Sequence, residues 1–464
     1  MRKNVLLINL PPLETYAPPL ALATLKGAIK QYHDITCFDF NLYINKKLKL
    51  NEFNIHKPEI KEKIKRISLN FFKGMSYDVI GISFLSQWQE PVAEIIIPII
   101  KECVNCKIVV GGPFFVYTNQ QNFNKEFYEK YVDAYIVGDA EISLKEYLDD
   151  NLNYPGINDH AWDINFNRNI INFPDYSDFD LSKYREIQVA QSKGCVRKCA
   201  FCTVPAVWPK YVYKSPERMA KEIEYIYETC IKNISNPSKK IHFVDSLLNG
   251  SKKLLLETSH NIIKIFGKNH NKFYWGGQAI ATSEKHIPPQ AYRIASQSGL
   301  KYLIVGIESG SEKVRWEMNK KFYDEDLMYT LNVCHKYKID IIPLIIIGYP
   351  TETEEDFQKT LDLLETFKLY NINCIAPFNT SIMALGPNME ITINPEKYKI
   401  KNIKNNWNWD SEYHTLDDRI NRLRRYAEKA QQLGLSDLEP EDFLNKTMPG
   451  YKELYNFEKM FMAT

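Results

Sequence analysis

Along the first 150 residues, short apolar runs alternate with stretches whose apolar positions recur every three to four residues, the pattern of parallel strands joined by helices. The runs predict strands at residues 4–9, 35–40, 79–84, 107–110 and 134–137. Helical periodicity fills 19–31, 90–102 and 122–130, and the polar insert 45–73 reads as a helical excursion. Five such units suit a doubly wound α/β sheet whose ligand sits beyond the carboxyl ends of the strands, where the loops 10–18 and 111–115 emerge. Residues 151–185, with Pro155, Gly156, Asn158, Asp159, Asn167 and Pro174, lose the periodicity and read as an ordered linker. A second alternation follows, with strands expected at 186–191, 240–244, 273–276, 302–306, 339–347 and 373–377 and helices at 216–230, 289–298 and 354–370. Six units predict a partial or open α/β barrel over 186–385, with its chemistry at the C-terminal face. Residues 386–464 are charged and helical, with Trp407 and Trp409 as candidate wall residues.

Composition narrows the function classes. A chain of 464 residues is too long for one core, and 59 Lys+Arg against 57 Asp+Glu give a net charge of +2, too little to draw in nucleic acid. The opening apolar run is too short for a secretory signal, and no stretch approaches the roughly 18 apolar residues of a membrane span, so a cytoplasmic protein is expected. Nine cysteines in such a chain are expected as thiols.

Three of them, Cys195, Cys199 and Cys202 in SKGCVRKCAFCTVP, crowd onto a loop directly after a predicted strand. Three soft ligands so close can each take one iron of a cubane cluster, leaving the fourth iron to an exogenous ligand. A zinc knuckle is the competing reading, but neither a second cysteine pair nor histidines follow at zinc-finger spacing. Cys103 and Cys106 read as packing residues at a helix end, and Cys37, Cys230, Cys334 and Cys374 as core.

The spacing of Cys195, Cys199 and Cys202, with Phe201 before the last, resembles the signature of the radical S-adenosylmethionine (SAM) superfamily. FVDSLLN (243–249), GIESGSEKVRWEMNK (306–320) and IIIGYPTETEEDF (345–357) resemble the later strand motifs of its branch with an N-terminal cobalamin domain. PPLETYAPPLALATL, YDVIGIS, VVGGP and YIVGDAE resemble that cobalamin domain itself, a class B methyltransferase-like arrangement. The resemblance implies a Rossmann-like cobalamin domain at 1–150, a radical SAM half-barrel at 186–385 and a substrate-binding C-terminal region. It implies a 4Fe-4S cluster on the three cysteines, with its open iron chelating SAM. It also implies Phe201 beside the adenine, Glu308 and Ser309 on the ribose or methionine end, Gly348 against the adenine, and Asp245 facing the same cavity. One departure stands out: the second barrel strand lacks the Gly-Gly-Glu run that many members use for the SAM amino group, leaving Asp245 or Asn249 as substitutes.

Cobalamin domains that ligate cobalt through histidine carry Asp-x-His-x-x-Gly after the first strand; here the loop reads LPPLETYAPP, with no histidine. The resemblance then implies a lower axial site that is empty or filled by water. Pro12, Ser83, Gly111, Gly112, Pro113 and Gly138 would line the cofactor's tail. With both cofactors, the expected activity is methylcobalamin-dependent C-methylation of an unactivated carbon in a small metabolite or peptide, with a flavodoxin- or ferredoxin-type donor supplying electrons. A radical cyclase, an oxidative rearrangement or ring contraction, and a non-enzymatic cobalamin carrier are the alternatives. Transfer RNA methylthiolation is disfavoured, because the N-terminal domain lacks three cluster cysteines and no basic RNA module follows. Tyr16, Trp88, Trp208, Trp275 and Trp407 are candidate walls of the substrate pocket.

Overall fold

In the computed structural model, residues 1–48, 55, 57–117, 124–151, 172–234, 239–372 and 375–448 are described. The predicted 151–185 linker is therefore seen only in its ends, and Cys374, with the start of the strand predicted at 373–377, lies outside the described residues. Among the described residues no helix is long and apolar enough to cross a membrane. The chain divides into two compact units, Met1–Gln191 with Val212–His242, and Ser192–Tyr211 with Phe243–Thr464.

The first unit holds five parallel strands, β1 (Asn4–Asn9), β2 (Asp34–Phe38), β3 (Val79–Ser83), β4 (Lys107–Gly111) and β5 (Ala134–Ile136), in the order β2-β1-β3-β4-β5. Reversal of strand order on either side of β1 is the doubly wound topology the sequence predicts. The first strand is buried at every residue but its first, as a central parallel strand covered on both faces should be. Residues 172–186 pack on the helix Leu20–Ile29: Lys26 and Lys30 pair with Asp178 and Asp175, each at 2.6 Å, and the Tyr184 hydroxyl donates to Asp39 at 2.8 Å. Cys103 and Cys106 pack against this unit's apolar core, and Cys37 is buried.

The second sheet has six strands, β6 (Ile187–Val189), β7 (Lys240–Phe243), β8 (Tyr274–Ala279), β9 (Leu300–Glu308), β10 (Asp340–Ile347) and β11 (Thr380–Ile382), laid in sequential order. Sequential parallel order with helical returns curls the sheet into a half-barrel. Residues 377–379 form a short 3-10 turn, so the sixth strand falls later than 373–377. The apolar stretch Ile375-Ala376-Pro377 that suggested it precedes a short edge strand made of Thr380, Ser381 and Ile382. Side chains cap the helix starts: Ser251 accepts from the Leu254 amide, and Thr353 with Asp356 closes a capping box on Glu354–Leu369.

The helix Leu416–Gln432 and the residues before it meet the loop after β10 through buried polar contacts. His414 donates from Nε2 to the Tyr349 carbonyl at 2.9 Å, Nδ1 lies 3.5 Å from Arg419, and Arg419 stacks 3.7 Å from the centre of the Trp409 ring. Burial, and then the charges of Arg419 and Arg422, hold His414 down at about 4 against the Tyr349 hydrogen bond. Its folded value lies below its unfolded one, so its stabilising share is present above about pH 6.5 and is lost as pH falls toward 4. Urea unfolding of the cluster-free protein should therefore show a loss of about 2 kcal/mol between pH 7 and pH 5 that His414→Gln abolishes. Equal slopes in the two proteins would refute this.

Candidate functional site

The cysteine loop leaves the end of the first barrel strand and is pinned from behind. Ala200 donates to the Met318 carbonyl at 2.9 Å, and the Asn319 amide donates to the Lys198 carbonyl at 2.5 Å. Below it lies an apolar cluster that includes Ala200, Val314, Met318, Tyr349 and Trp409. With the loop so held, Cys195, Cys199 and Cys202 are all partly exposed free thiols lining one cavity of about 330 Å³. Backbone N–H groups already point at sulfur: Arg197 donates to Cys195 Sγ at 3.3 Å, and the Val204 amide steadies Cys202. Burial pushes the Cys199 thiol up to about 12, with Cys202 and Cys195 adding to the rise and Lys320 opposing it. Cys202 is raised by the same cause, burial.

Three thiols gathered on one cavity wall, two of them held protonated by burial, suit a multivalent cation that takes them as thiolates. Among the described residues no group of three His, Cys, Asp or Glu side chains is placed to hold a single metal ion. A cubane cluster asks for something different, one thiolate on each of three separate irons, and three cysteines spread around a cavity fit it.

The floor of the cavity is a buried ion pair. Glu308 ends β9 with φ +69° and meets Lys320, whose ammonium also lies 5.6 Å from the centre of the Phe201 ring. Burial works against the charge on Lys320, but Glu308 and the neighbouring Cys199 and Cys202 outweigh it and hold its pKa above the ordinary lysine value. A side chain at Gly306 would strike both Lys320 and Glu308, so glycine there leaves room for the pair. Ile280, Ile304, Leu344 and Ile346 form apolar walls, and Ser246, Gln278, Asn379 and Thr380 supply polar atoms.

Of the residues expected around SAM, Phe201 and Glu308 line this cavity, and Asp245, Ser309 and Gly348 are not among its lining residues. Asp245 accepts from both the amide, at 2.6 Å, and the hydroxyl of Ser192, and its neighbour Ser246 faces the cavity instead. Asn249 brackets the Ile280 backbone with two hydrogen bonds, at 2.8 and 3.0 Å. Ser309 is buried, accepts from the Ser311 amide at 3.1 Å and lies 3.4 Å from the Thr360 hydroxyl. Gly348, at φ +76°, turns its missing side chain toward Arg419 and donates its amide to Glu352 at 2.8 Å. Sequence reasoning missed Lys320, Gln278 and Ser246. Tyr16, Trp88, Trp208, Trp275 and Trp407 are absent from the cavity lining, where Phe201 and Phe378 stand.

In the first unit, Ser83 and Gly111 are register partners at the carboxyl ends of β3 and β4, Gly138 follows β5, and Pro12 sits in the loop after β1. Gly112, at φ +116°, brings its backbone against Phe84, where a Cβ has no room, and Pro113 follows it. This edge presents close-packed backbone and a hydroxyl, which fits a corrinoid tail held by packing. The described histidines of this unit are His33 and His242; His33 precedes β2, at the opposite edge, 3.1 Å from Asp149.

Comparison with known proteins agrees with this geometry. Residues 190–364 match the sequence model of the Radical SAM superfamily. The ribosomal protein uS12 methylthiotransferase RimO of Sulfurihydrogenibium sp. is 27% identical over 178 residues, 38% of this chain and 40% of that one. The tRNA-2-methylthio-N(6)-dimethylallyladenosine synthase of Ehrlichia ruminantium is 25% identical over 208 residues, 43% of this chain and 46% of that one. The chain thus spans less than half the length of these curated relatives. Among solved structures, the radical SAM methyltransferase TsrM of Kitasatospora setae, with cobalamin and a [4Fe-4S] cluster bound, aligns with TM-score 0.64 and 14% identity over 87% of this chain and 80% of its own. The cobalamin-dependent radical enzyme OxsB, with aqua-cobalamin, aligns with TM-score 0.66 and 16% identity over 98% of this chain and 72% of its own. Residues 190–364 thus match the Radical SAM superfamily, and the chain as a whole has the fold seen in cobalamin-dependent radical SAM enzymes.

Proposed function

We propose that this protein is a cobalamin-dependent radical SAM methyltransferase that acts on an unactivated carbon of a small metabolite or peptide. The observation that carries the reading is the cavity where Cys195, Cys199 and Cys202 meet Phe201, Glu308 and Lys320, in a chain that shares its fold over most of its length with cobalamin-bound enzymes. When bound, the cluster supplies the electron that splits SAM to methionine and a 5'-deoxyadenosyl radical, and cobalamin supplies the methyl group. The three cysteines would hold three irons and leave the fourth for SAM. Lys320 and Glu308 offer opposite charges to the carboxylate and amino ends of a methionine moiety, and Phe201 offers its ring to the adenine. The walls from Ile280 to Ile346 exclude water from a radical, and Ser83, Gly111, Gly112, Pro113, Gly138 and Pro12 would hold the corrinoid's tail. We assign residues 1–150 to that role and 386–464 to substrate contact, in a cytoplasmic enzyme reduced by a small electron-carrier protein.

The test is product analysis under anaerobic turnover with SAM and hydroxocobalamin. Methyl transfer should yield S-adenosylhomocysteine and 5'-deoxyadenosine in equal amounts with each methylated product. The similarity to methylthiotransferases favours a second reading, in which the product gains a methylthio group and turnover needs no cobalamin. Deoxyadenosine without S-adenosylhomocysteine would overturn both in favour of a cyclisation or rearrangement.

A further inference from the structure

The cysteine loop is a partition between two cavities. Arg197, Phe201 and Val204 face the cavity of about 330 Å³, while Lys198, Ala200 and Pro205 face a second one of about 800 Å³. Cys199 and Cys202 border both. No residue of a barrel strand is in the lining of the second cavity; beside the cysteine loop, its walls come from the helix Glu312–Glu317, Asn319, Thr351 and residues between 388 and 413. A molecule seated there is therefore separated from the SAM side by the loop itself, so the residues of 388–413 that line this cleft stand apart from the substrate contact assigned to the rest of 386–464.

Charge sets the character of this cleft. Lys198, Lys313, Lys397 and Lys399 are exposed on its lining against Glu317 and Glu390, and with Asp356 paired to Lys313 the patch keeps an excess of one positive charge. Lys313 pairs with Asp356 and Lys397 with Glu390, each at 2.9 Å, and among the described residues no carboxylate pairs with Lys198 or Lys399. Between the lysines, Trp316, Ile393 and Tyr413 leave apolar surface exposed at 38%, 63% and 47%. A cationic rim around exposed aromatics suits a brief, electrostatically steered encounter with an acidic protein, the small-interface end of protein association.

We propose that this cleft is the docking site of a small acidic one-electron carrier protein, flavin- or iron–sulfur-bearing, which reduces the cluster through Cys199 and Cys202 from the face opposite SAM. The proposal rests on the cluster reading above. In the step, one electron leaves the carrier, which is oxidised by one, and the cluster is reduced by one; no bond forms or breaks and no proton moves. The walls used by the carrier and by SAM share two sulfurs and no other reactive group, so the two can be present at once.

The experiment is anaerobic stopped flow on the reconstituted full chain with reduced flavodoxin, following the loss of the cluster's visible absorbance. The native protein should show a second-order rate that falls as ionic strength rises. Lys397→Glu with Lys399→Glu should lower that rate about tenfold at low salt and flatten the salt dependence. Photoreduced deazaflavin, a small reductant that needs no docking, should reduce both proteins equally. Equal flavodoxin rates in both proteins, or a native rate indifferent to salt, would overturn the proposal. A native protein that takes up no cluster would overturn the cluster reading beneath it, and the absorbance before mixing tells the two failures apart.

Discussion

Substituting alanine for Cys195, Cys199 and Cys202 together should leave a protein that folds but takes up no cluster, shows no cubane signal by electron paramagnetic resonance and cleaves SAM at background. Each single substitution should lower cluster affinity at least about a hundredfold, because two thiolates cannot hold three irons. Folding should survive, since the three side chains lie at a cavity wall and the loop is held by the backbone contacts of Lys198 and Ala200 with Asn319 and Met318. Cys103→Ala and Cys106→Ala are the internal controls: both thiols pack against the core of the other unit and should leave the spectrum untouched. Cobalamin uptake should be the same in the triple variant as in the native protein, because the residues assigned to it lie at the strand ends of the first sheet and in the loops that follow them. A cluster retained by the triple variant would sink the assignment.

That those cysteines share one cavity was legible in the sequence because the grouping is written in local spacing. The strands were legible for a related reason: a central parallel strand buried on both faces is a continuous apolar run, and NVLLIN from 4 to 9 has the bounds the sequence suggested. The sixth barrel strand was misplaced because Thr380, Ser381 and Ile382 at the sheet edge carry little of that signal, whereas the preceding apolar stretch carries more. Site residues divided along another line. Asp245, Asn249, Ser309 and Gly348 follow barrel strands, and that position alone does not say whether a side chain turns into the cavity or back to satisfy a buried amide. In each case a local partner claimed it: Ser192, Ile280, Ser311 or Glu352. Lys320 escaped for the opposite reason, because it stands twelve positions beyond Glu308 and returns only through the helix Glu312–Glu317 and a left-handed turn at Asn319.

Lys320→Met should cost about 3 to 5 kcal/mol in urea unfolding of the cluster-free protein at neutral pH, the largest stability loss expected of any single change in the cavity. Lys320 and Glu308 have side chains only 8% and 6% exposed, so neither charge has water to fall back on when the other is removed. The loss therefore measures a stranded carboxylate rather than the net worth of the pair, and a second variant separates the two. Glu308→Gln with Lys320→Met removes both charges and should recover most of the stability, giving a coupling energy of about 2 kcal/mol or more in the double-mutant cycle. Additive losses would mean that the pair is not coupled and that Lys320 matters only for its packing against Phe201. SAM affinity should follow a different order from stability. The double variant folds yet has lost both charges offered to the methionine moiety, so it should bind SAM weakly at a stability near native. If instead it binds SAM as the native protein does, the ion pair is scaffold alone, and the polar contacts of the ligand must come from Ser246, Gln278 and the Asn379–Thr380 segment.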